Sequence, residues 1–420
     1  MAPGKACTLA VLLLAALGAD PFYVPPNPLP QTGEGSVLRS QRFTGGPALS
    51  SAAGNYRLLY ETRAANGTLV AVSGTLAVPG GTPPAAGWPL ISWAHGTTGD
   101  APQCAPSRGE RPNVEQRMLD RFVKLGYAVA QTDYEGIGTP GIHPYMVPMS
   151  EARDVTNIVR AARQIDPRVG RAWIVMGHSQ GGAAALATAA AGQLIAPELH
   201  LVGVVSYAPF ATPDGLLRDE LNETRPNQGL AILGLLIEAF ATVDPKVVPA
   251  EILDPEAMRA MTQLQQRCID ELWSDSPWLR FVPRDIFAPS GESSTEALYR
   301  DLIAADPINF AIAIPTLLVN GVSDFMVPSE STLYLRDHMI RNGTPVTFKA
   351  YLGATHGSVL LASLNDVAAW VGRRFAKAEN AWGAGISSGW RSDLNAAVTG
   401  SSFPPTSTMR ASKSTAGELR

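Results

Sequence analysis

One serine in this sequence sits in a motif whose residue types indicate nucleophilic chemistry. Residues 177–181 read GHSQG and fit the pattern G-x-S-x-G, in which a serine occupies a sharp turn between a strand and a helix with its hydroxyl exposed. The apolar run 173–176 precedes this motif, and small residues follow it from Gly182 onward. Ser179 is therefore the candidate nucleophile.

A second stretch matches the same pattern but lacks its context. Residues 385–389 read GISSG, with no predicted strand before them, no predicted helix after them and no histidine nearer the carboxyl end. We therefore reject Ser387 as a nucleophile.

A serine hydroxyl needs a general base, and the base needs a carboxylate that fixes its tautomer and balances its positive charge. When the nucleophile stands on a strand-to-helix elbow, the acid and then the histidine follow it in the chain. Asp324 and His356 each follow a predicted strand, in the stretches NGVSD (320–324) and GATHG (353–357). The order and the positions predict a triad of Ser179, Asp324 and His356.

The other histidines do not fit that order. Those that precede the serine or the acid, or that lie in a polar helix, are His95, His143, His178, His200 and His338.

A tetrahedral intermediate also requires backbone N–H donors for its oxyanion. The residue after the nucleophile, Gln180, supplies one. The second is expected in the loop after the third predicted strand, where residues 95–99 read HGTTG. We favour Thr97, with Thr98 as the alternative, and a purely structural tight turn at His95-Gly96 is the competing interpretation.

Short apolar runs alternate with helical patterns along most of the chain. Two β-rich runs between Tyr56 and Val78 flank Asn66-Gly67, a strong hairpin signal. Further strands are predicted at 90–94, 127–132, 173–176, 201–206, 316–319 and 346–352. This alternation predicts an α/β protein with a mostly parallel sheet flanked by helices, the α/β-hydrolase fold.

The alternation stops between residues 211 and 308, which read as helical and rich in Leu, Ala and Pro. We interpret this segment as a cap inserted into a core of residues 20–210 and 309–380. Its most apolar part, 230–240, is either a helix buried against the core or a surface for transient contact with a lipid interface. Residues 381–420 are polar and small, and a disordered tail is expected.

The amino-terminal residues resemble a secretory signal peptide. Lys5 is followed by an apolar stretch from residue 7 to 17 and by small residues up to Ala19. The stretch is shorter than the ~20 residues that span a bilayer, which disfavours a membrane anchor. We therefore expect residues 1–19 to be removed and the protein to be secreted.

Two cysteines, Cys104 and Cys268, remain after that cleavage. An even number in an oxidising compartment predicts a disulfide, and two buried thiols are the alternative.

The remaining composition limits the other classes of function. The formal net charge is −4 and the sequence has no basic runs, so it does not indicate a basic surface that would bind nucleic acid. No metal-ligand spacing or phosphate-binding loop appears, so no cofactor is implied and no protein partner is evident. The stretch DYEGIGTPG at 133–141 is interpreted as a structural loop near the site.

Several motifs together resemble the secretory lipase family, the lipase A-like α/β-hydrolases. They include DPFY at 20–23, VSGTLAVP at 72–79, WAHGTTG at 93–99, CAPS at 104–107 and DYEG at 133–136, together with the elbow and the two loops that bear Asp324 and His356. The resemblance implies a helical cap, a disulfide that joins the Cys104 loop to the cap at Cys268, and the triad named above. A further cysteine pair often found in the family is missing from this sequence.

The expected activity is hydrolysis of a lipid or other uncharged carboxylic ester through an acyl-enzyme. The same triad also suits a peptidase, thioesterase, carbohydrate esterase or acyltransferase. A non-catalytic binding protein on a hydrolase fold is the alternative from another class.

Overall fold

A computed structural model of the protein describes residues 20–109, 113–288 and 292–383. The expected signal peptide and Ser387 lie outside these residues, as does the expected tail beyond residue 383. None of the helices in the described ranges is both long and apolar enough to cross a membrane.

The part of the chain that the structure describes contains one nine-stranded sheet in the order β1-β2-β3-β5-β4-β6-β7-β8-β9. The strands are β1 (Val37–Arg42), β2 (Gly54–Arg63), β3 (Leu69–Val78), β4 (Trp88–Ala94), β5 (Ala128–Thr132), β6 (Val169–His178), β7 (His200–Tyr207), β8 (Thr316–Gly321) and β9 (Val346–Tyr351). The strands β1, β2, β3 and β5 pair antiparallel with their neighbours in that order, and all pairings from β5 through β4 to β9 are parallel.

The described residues also form twelve α-helices. They are α1 (Val114–Lys124), α2 (Pro148–Ile165), α3 (Gln180–Ile195), α4 (Pro213–Glu220), α5 (Gly229–Ala241), α6 (Pro249–Ile252), α7 (Pro255–Ala260), α8 (Ile269–Leu272), α9 (Glu292–Ala305), α10 (Ser329–Arg341), α11 (Val359–Ala362) and α12 (Leu364–Gly383).

Helices cover both faces of the sheet because successive strand residues point to opposite sides. In β6, Ile174 packs into a hydrophobic cluster with residues of α1 and α12. Its neighbour Val175 packs into the cluster on the other face, with residues of α2 and α3. The predicted α/β-hydrolase fold, a mostly parallel sheet between helical layers, is confirmed.

The segment between β7 and β8 is helical and has a hydrophobic cluster largely of its own. The apolar side chains of α5 lie inside this cluster, and Leu233, Leu235 and Leu236 are fully buried. Residues 230–240 are therefore buried, as the first interpretation expected, but mostly among side chains of the helical segment itself and less against the core.

The disulfide between Cys104 and Cys268 is present, with a Cα–Cα distance of 5.4 Å. It joins a short 3-10 turn at Pro102–Cys104, which follows the loop after β4, to the start of α8 in the helical segment. The predicted pairing is confirmed. Beside it, Ile269 N donates to Thr98 O at 2.9 Å, so the helical segment is fixed to the loop that holds the candidate oxyanion donors.

Candidate active site

Ser179 lies at the turn between β6 and α3 with φ +59° and ψ −118°. A positive φ is uncommon for a residue with a Cβ and marks a backbone held by its surroundings. The surrounding bonds are Ser179 N to Tyr207 O at 2.9 Å and Phe210 N to Ser179 O at 3.1 Å. The strand next to β6 therefore holds the serine on its elbow.

The two glycines of the motif are required by close backbone packing. A Cβ at Gly177 would overlap the carbonyl oxygen of Gly181, and a Cβ at Gly181 would overlap that of Ala94. Helix α3 can therefore begin directly beside the end of β4 only if both positions lack a side chain.

His356 and Asp324 meet at the carboxyl ends of β8 and β9, as their positions after two parallel strands predict. The Nδ1 atom of His356 lies 2.7 Å from Oδ2 of Asp324. The other oxygen, Oδ1, accepts hydrogen bonds from Met326 N and Val327 N, both at 2.9 Å. One carboxylate thus orients the imidazole and shapes its own loop.

The charges of this pair are set by burial and by mutual contact. Burial raises the pKa of Asp324, but the hydrogen bond from His356 and the two backbone N–H groups outweigh it, and the pKa lies below its ordinary value. Burial lowers the pKa of His356, and Asp324 only partly offsets this. Asp324 is therefore ionised at neutral pH, and His356 is largely uncharged and able to accept a proton.

The histidine is also held from the side of the elbow. Nε2 of His178 donates to the carbonyl oxygen of His356 at 2.9 Å, and the two rings lie 4.4 Å apart. His178 directly precedes Ser179, so the serine and the histidine occupy the same end of the sheet. Among the described residues, no hydrogen bond joins Ser179 Oγ to His356 Nε2, a bond that often tightens only when substrate binds.

Glu115, at the start of α1, links several parts of this region. Its carboxylate accepts from Trp93 Nε1 at 3.0 Å and from Gly96 N at 3.2 Å, and it lies 3.5 Å from Nδ1 of His178. Burial raises the pKa of Glu115, but its contacts with His178, His95 and Trp93 together outweigh burial and hold the pKa below its ordinary value. The sequence pattern gave no sign of this residue.

The candidate oxyanion donors face different surroundings. Gln180 is the first residue of α3, so its N–H has no partner within the helix. The Thr97 hydroxyl lies 2.8 Å from the hydroxyl of Tyr145. The hydroxyl of Thr98 is buried without a protein partner, and the two threonines remain alternatives for the second donor.

The Gln180 side chain is fixed by two buried groups that the sequence analysis missed. Its Nε2 donates to Oε1 of Glu151 at 2.8 Å and lies 2.9 Å from Nε2 of His143. Nδ1 of His143 donates to the carbonyl oxygen of Glu135 at 2.9 Å, which leaves Nε2 free to accept. Burial lowers the pKa of His143 to about 3, so this histidine stays neutral and holds Gln180 in place.

Glu151 gives a prediction about stability. Burial raises its pKa to about 8, although bonds from Gln180 and Met146 oppose the shift. Between the ordinary value of 4.5 and about 8, the unfolded chain releases this proton while the folded protein keeps it. The free energy of unfolding therefore falls as pH rises through this window.

The variant Glu151→Gln keeps an oxygen that can accept from Gln180 and Met146 but cannot ionise. We expect it to be more stable than the natural protein at pH 8 by a few kcal/mol, because each unit of pKa shift corresponds to about 1.4 kcal/mol, and equally stable near pH 4. Urea unfolding at pH 4, 6 and 8 measures the difference, with the exposed Glu330→Gln as control. Equal pH dependence in Glu151→Gln and the natural protein would contradict the assignment.

Asp133, the first residue of the loop at 133–141, has a structural role. The buried Asp133 carboxylate accepts from Ser73 Oγ at 2.6 Å, from Ser107 N at 2.9 Å and from the Ser107 hydroxyl. It thus ties β3 and β5 to the turn that follows Cys104.

Comparisons with known proteins agree with this architecture. The sequence is 26% identical over 374 residues to a secreted triacylglycerol lipase, LIP2, of Malassezia globosa, covering 82% of this chain and 78% of the relative. It is 25% identical over 384 residues to a protein of Mycobacterium tuberculosis named a probable inactive lipase, covering 85% and 82% of the two chains.

Solved structures share the fold at lower sequence identity. Candida antarctica lipase A in its closed state superposes with a TM-score of 0.69 at 17% identity, covering 85% of this chain and 86% of that one. The rice cell wall degrading esterase LipA of Xanthomonas oryzae superposes with a TM-score of 0.63 at 20% identity, covering 80% and 97%. The sequence profile of the secretory lipase family matches residues 106–383. The chain therefore belongs to the secretory lipase family.

Proposed function

We propose that this protein is a secreted serine hydrolase that cleaves carboxylic esters through Ser179, His356 and Asp324. The observation that carries the proposal is the 2.7 Å contact between His356 Nδ1 and Asp324 Oδ2, at the same end of the sheet as a serine held at positive φ. Membership in a lipase family supports ester hydrolysis as the type of reaction.

The contact with Asp324 fixes the protonation of the imidazole. Because a carboxylate accepts, Nδ1 of His356 carries the proton and Nε2 is left as a base. As Ser179 Oγ attacks the ester carbonyl, Nε2 takes the hydroxyl proton and later gives it to the departing alcohol. Water then repeats the sequence on the acyl-enzyme and releases the acid.

The oxyanion of each tetrahedral intermediate would be bound by the backbone N–H groups of Gln180 and of Thr97, with Thr98 as the alternative second donor. Loss of one such donor typically costs ~3 kcal/mol in the transition state. The Gln180 side chain, held by Glu151 and His143, keeps the first turn of α3 in position. We assign the side chains of Glu151 and His143 a positioning role.

The substrate proposed is an uncharged ester, and a triacylglycerol is the form suggested by the names of the Malassezia relatives. We further propose that residues 211–308 act as a cap over the site and that residues 1–19 direct secretion. The names of the same relatives, which include the word secreted, support the second point.

A binding protein without catalysis is the second candidate, and one relative favours it. The Mycobacterium tuberculosis relative carries the word inactive in its name. The pairing of His356 with Asp324 argues for catalysis, because a neutral imidazole held by a carboxylate is the arrangement that a general base requires.

A panel of substrates separates these functions. We expect turnover of p-nitrophenyl esters and of emulsified triacylglycerol, and at least 100-fold slower turnover of matched p-nitroanilides and of an acyl thioester. Faster cleavage of the anilide or of the thioester would show that the substrate class is amides or thioesters and not esters. No turnover of any member, together with no labelling by a fluorophosphonate, would favour the binding protein.

A further inference from the structure

Four large apolar side chains stand exposed on the two loops that carry Asp324 and His356. Phe325 is 93% exposed and Leu352 is 92% exposed, with Met326 at 52% and Val322 at 46%. We call these four residues the apolar rim. Single exposed apolar residues are common on proteins, but several of them on two adjoining loops beside a site indicate an interaction surface.

Backbone hydrogen bonds bring the two loops together and hold them. Val322 N donates to Tyr351 O at 3.0 Å, which places Val322 beside the neighbouring Leu352, and Ser323 N donates to Ala354 O at 2.9 Å. The rim is therefore a fixed part of the fold.

The Asp324 carboxylate determines the conformation of the loop that carries Phe325. Its Oδ1 atom accepts from Met326 N and Val327 N, which closes a turn around Phe325 and leaves that ring outside. Its Oδ2 atom binds His356. The same carboxylate thus orients the candidate base and projects the phenyl ring.

The size of the rim does not suit a stable protein interface. At roughly 150–200 Å² for a large apolar side chain, the four residues expose on the order of 500 Å². A stable complex requires ~800 Å² from each partner. A second copy of this chain is therefore a poor occupant.

The rim also lacks charge. Loops 321–327 and 351–358 contain no Lys, Arg or Glu, and the side chain of their one Asp, Asp324, is fully buried. Contact with acidic lipid headgroups depends on Lys and Arg near the surface. The chemistry of these loops fits an uncharged, apolar surface instead.

Helix α5, the most apolar part of the helical segment, does not offer an equivalent surface, because its apolar side chains are mostly buried in the cluster of that segment. We propose that the apolar rim docks on the surface of an uncharged lipid phase, such as emulsified triacylglycerol, and holds the site against it. This inference rests on the proposed function, since the docked phase supplies the ester. It moves the expected lipid contact from the cap to the loops that bear the acid and the histidine.

The test uses a double variant in which Phe325 and Leu352 are both replaced by serine. This rim variant is compared with a matched control variant. The control variant replaces Leu125 and Leu194 by serine, and both of these leucines are also more than half exposed. They precede β5 and β7, and so lie at the opposite end of the parallel strands. All proteins also carry Ser179→Ala in the binding assay, so binding is measured without hydrolysis. The probe is a triolein emulsion stabilised by phosphatidylcholine, and bound protein is separated by flotation.

We expect the rim variant to bind the emulsion at least 10-fold more weakly than the parent, because two large apolar side chains no longer leave water when the protein docks. The control pair should bind normally, and parent binding should change less than 2-fold between 0.05 and 0.5 M NaCl. With Ser179 restored, turnover of soluble p-nitrophenyl acetate should stay within 2-fold.

Equal binding by the rim variant and the parent would overturn the proposal, as would an equal loss in the control pair. A change of oligomeric state in the rim variant would assign the surface to a second copy instead. Leu352→Ser alone should weaken binding at least 3-fold, which tests the rim without touching the neighbour of Asp324. Failure of the proposed function would show as absent p-nitrophenyl acetate turnover, a measurement separate from binding.

Discussion

Replacement of Ser179 by alanine is expected to lower kcat for p-nitrophenyl esters at least ~10⁴-fold, because the base is then left without a hydroxyl to activate. Folding should change little, since the elbow is held by the backbone bonds of Ser179 to Tyr207 and Phe210, which alanine retains. Initial rates and thermal unfolding measure the two effects.

Ser387→Ala is the matched control because it alters the other G-x-S-x-G stretch. We expect the natural rate from this variant. The assignment would be wrong if Ser387→Ala abolished activity and Ser179→Ala preserved it.

Asp324→Asn is expected to lower kcat about 10⁴-fold through the tautomer of His356. The asparagine oxygen can still accept from Met326 N and Val327 N, so the amide nitrogen turns toward Nδ1 of the imidazole. That ring nitrogen must then accept, and the proton moves to Nε2. The variant keeps its loop but loses its base.

Asp366→Asn provides a control on a neighbouring carboxylate. Asp366 binds Lys349 and Tyr351 at 2.9 and 2.7 Å, at the carboxyl end of β9, and does not contact His356. We expect natural activity from this variant. Near-natural kcat in Asp324→Asn, with the loop intact, would show that another group holds the histidine.

The elbow was predictable because its requirements are local. Gly177 and Gly181 are needed within one turn of Ser179, where added Cβ atoms would overlap backbone oxygens. The candidates Asp324 and His356 were chosen by the order of serine, acid and histidine in the chain and by their positions after strands, and the parallel sheet brings these two loops together. The disulfide between Cys104 and Cys268 followed from the cysteine count.

The supporting residues were not predictable because their partners are distant in sequence. Glu151 and His143 lie 29 and 37 residues from Gln180, and each reads locally as an ordinary helix or loop residue. In the sequence, Glu115 reads as an acid at the start of a helix. Its contacts with Trp93 and Gly96 arise only because α1 packs beside β4 in the fold.

The edge strand β1 was also missed. It reads VLRSQR and has no continuous apolar face. Backbone pairing with β2 forms it instead, and such pairing leaves little trace in side-chain pattern.

The identity of the residue that a diethyl p-nitrophenyl phosphate inhibitor modifies tests the central claim most directly. Mass spectrometry of peptides from the inactivated protein should find one diethylphosphoryl group, on the Ser179 oxygen, and Asp324→Asn should slow its formation about as much as it slows ester turnover. Phosphorylation of another residue with loss of activity, or unmodified Ser179 in inactivated protein, would contradict the account.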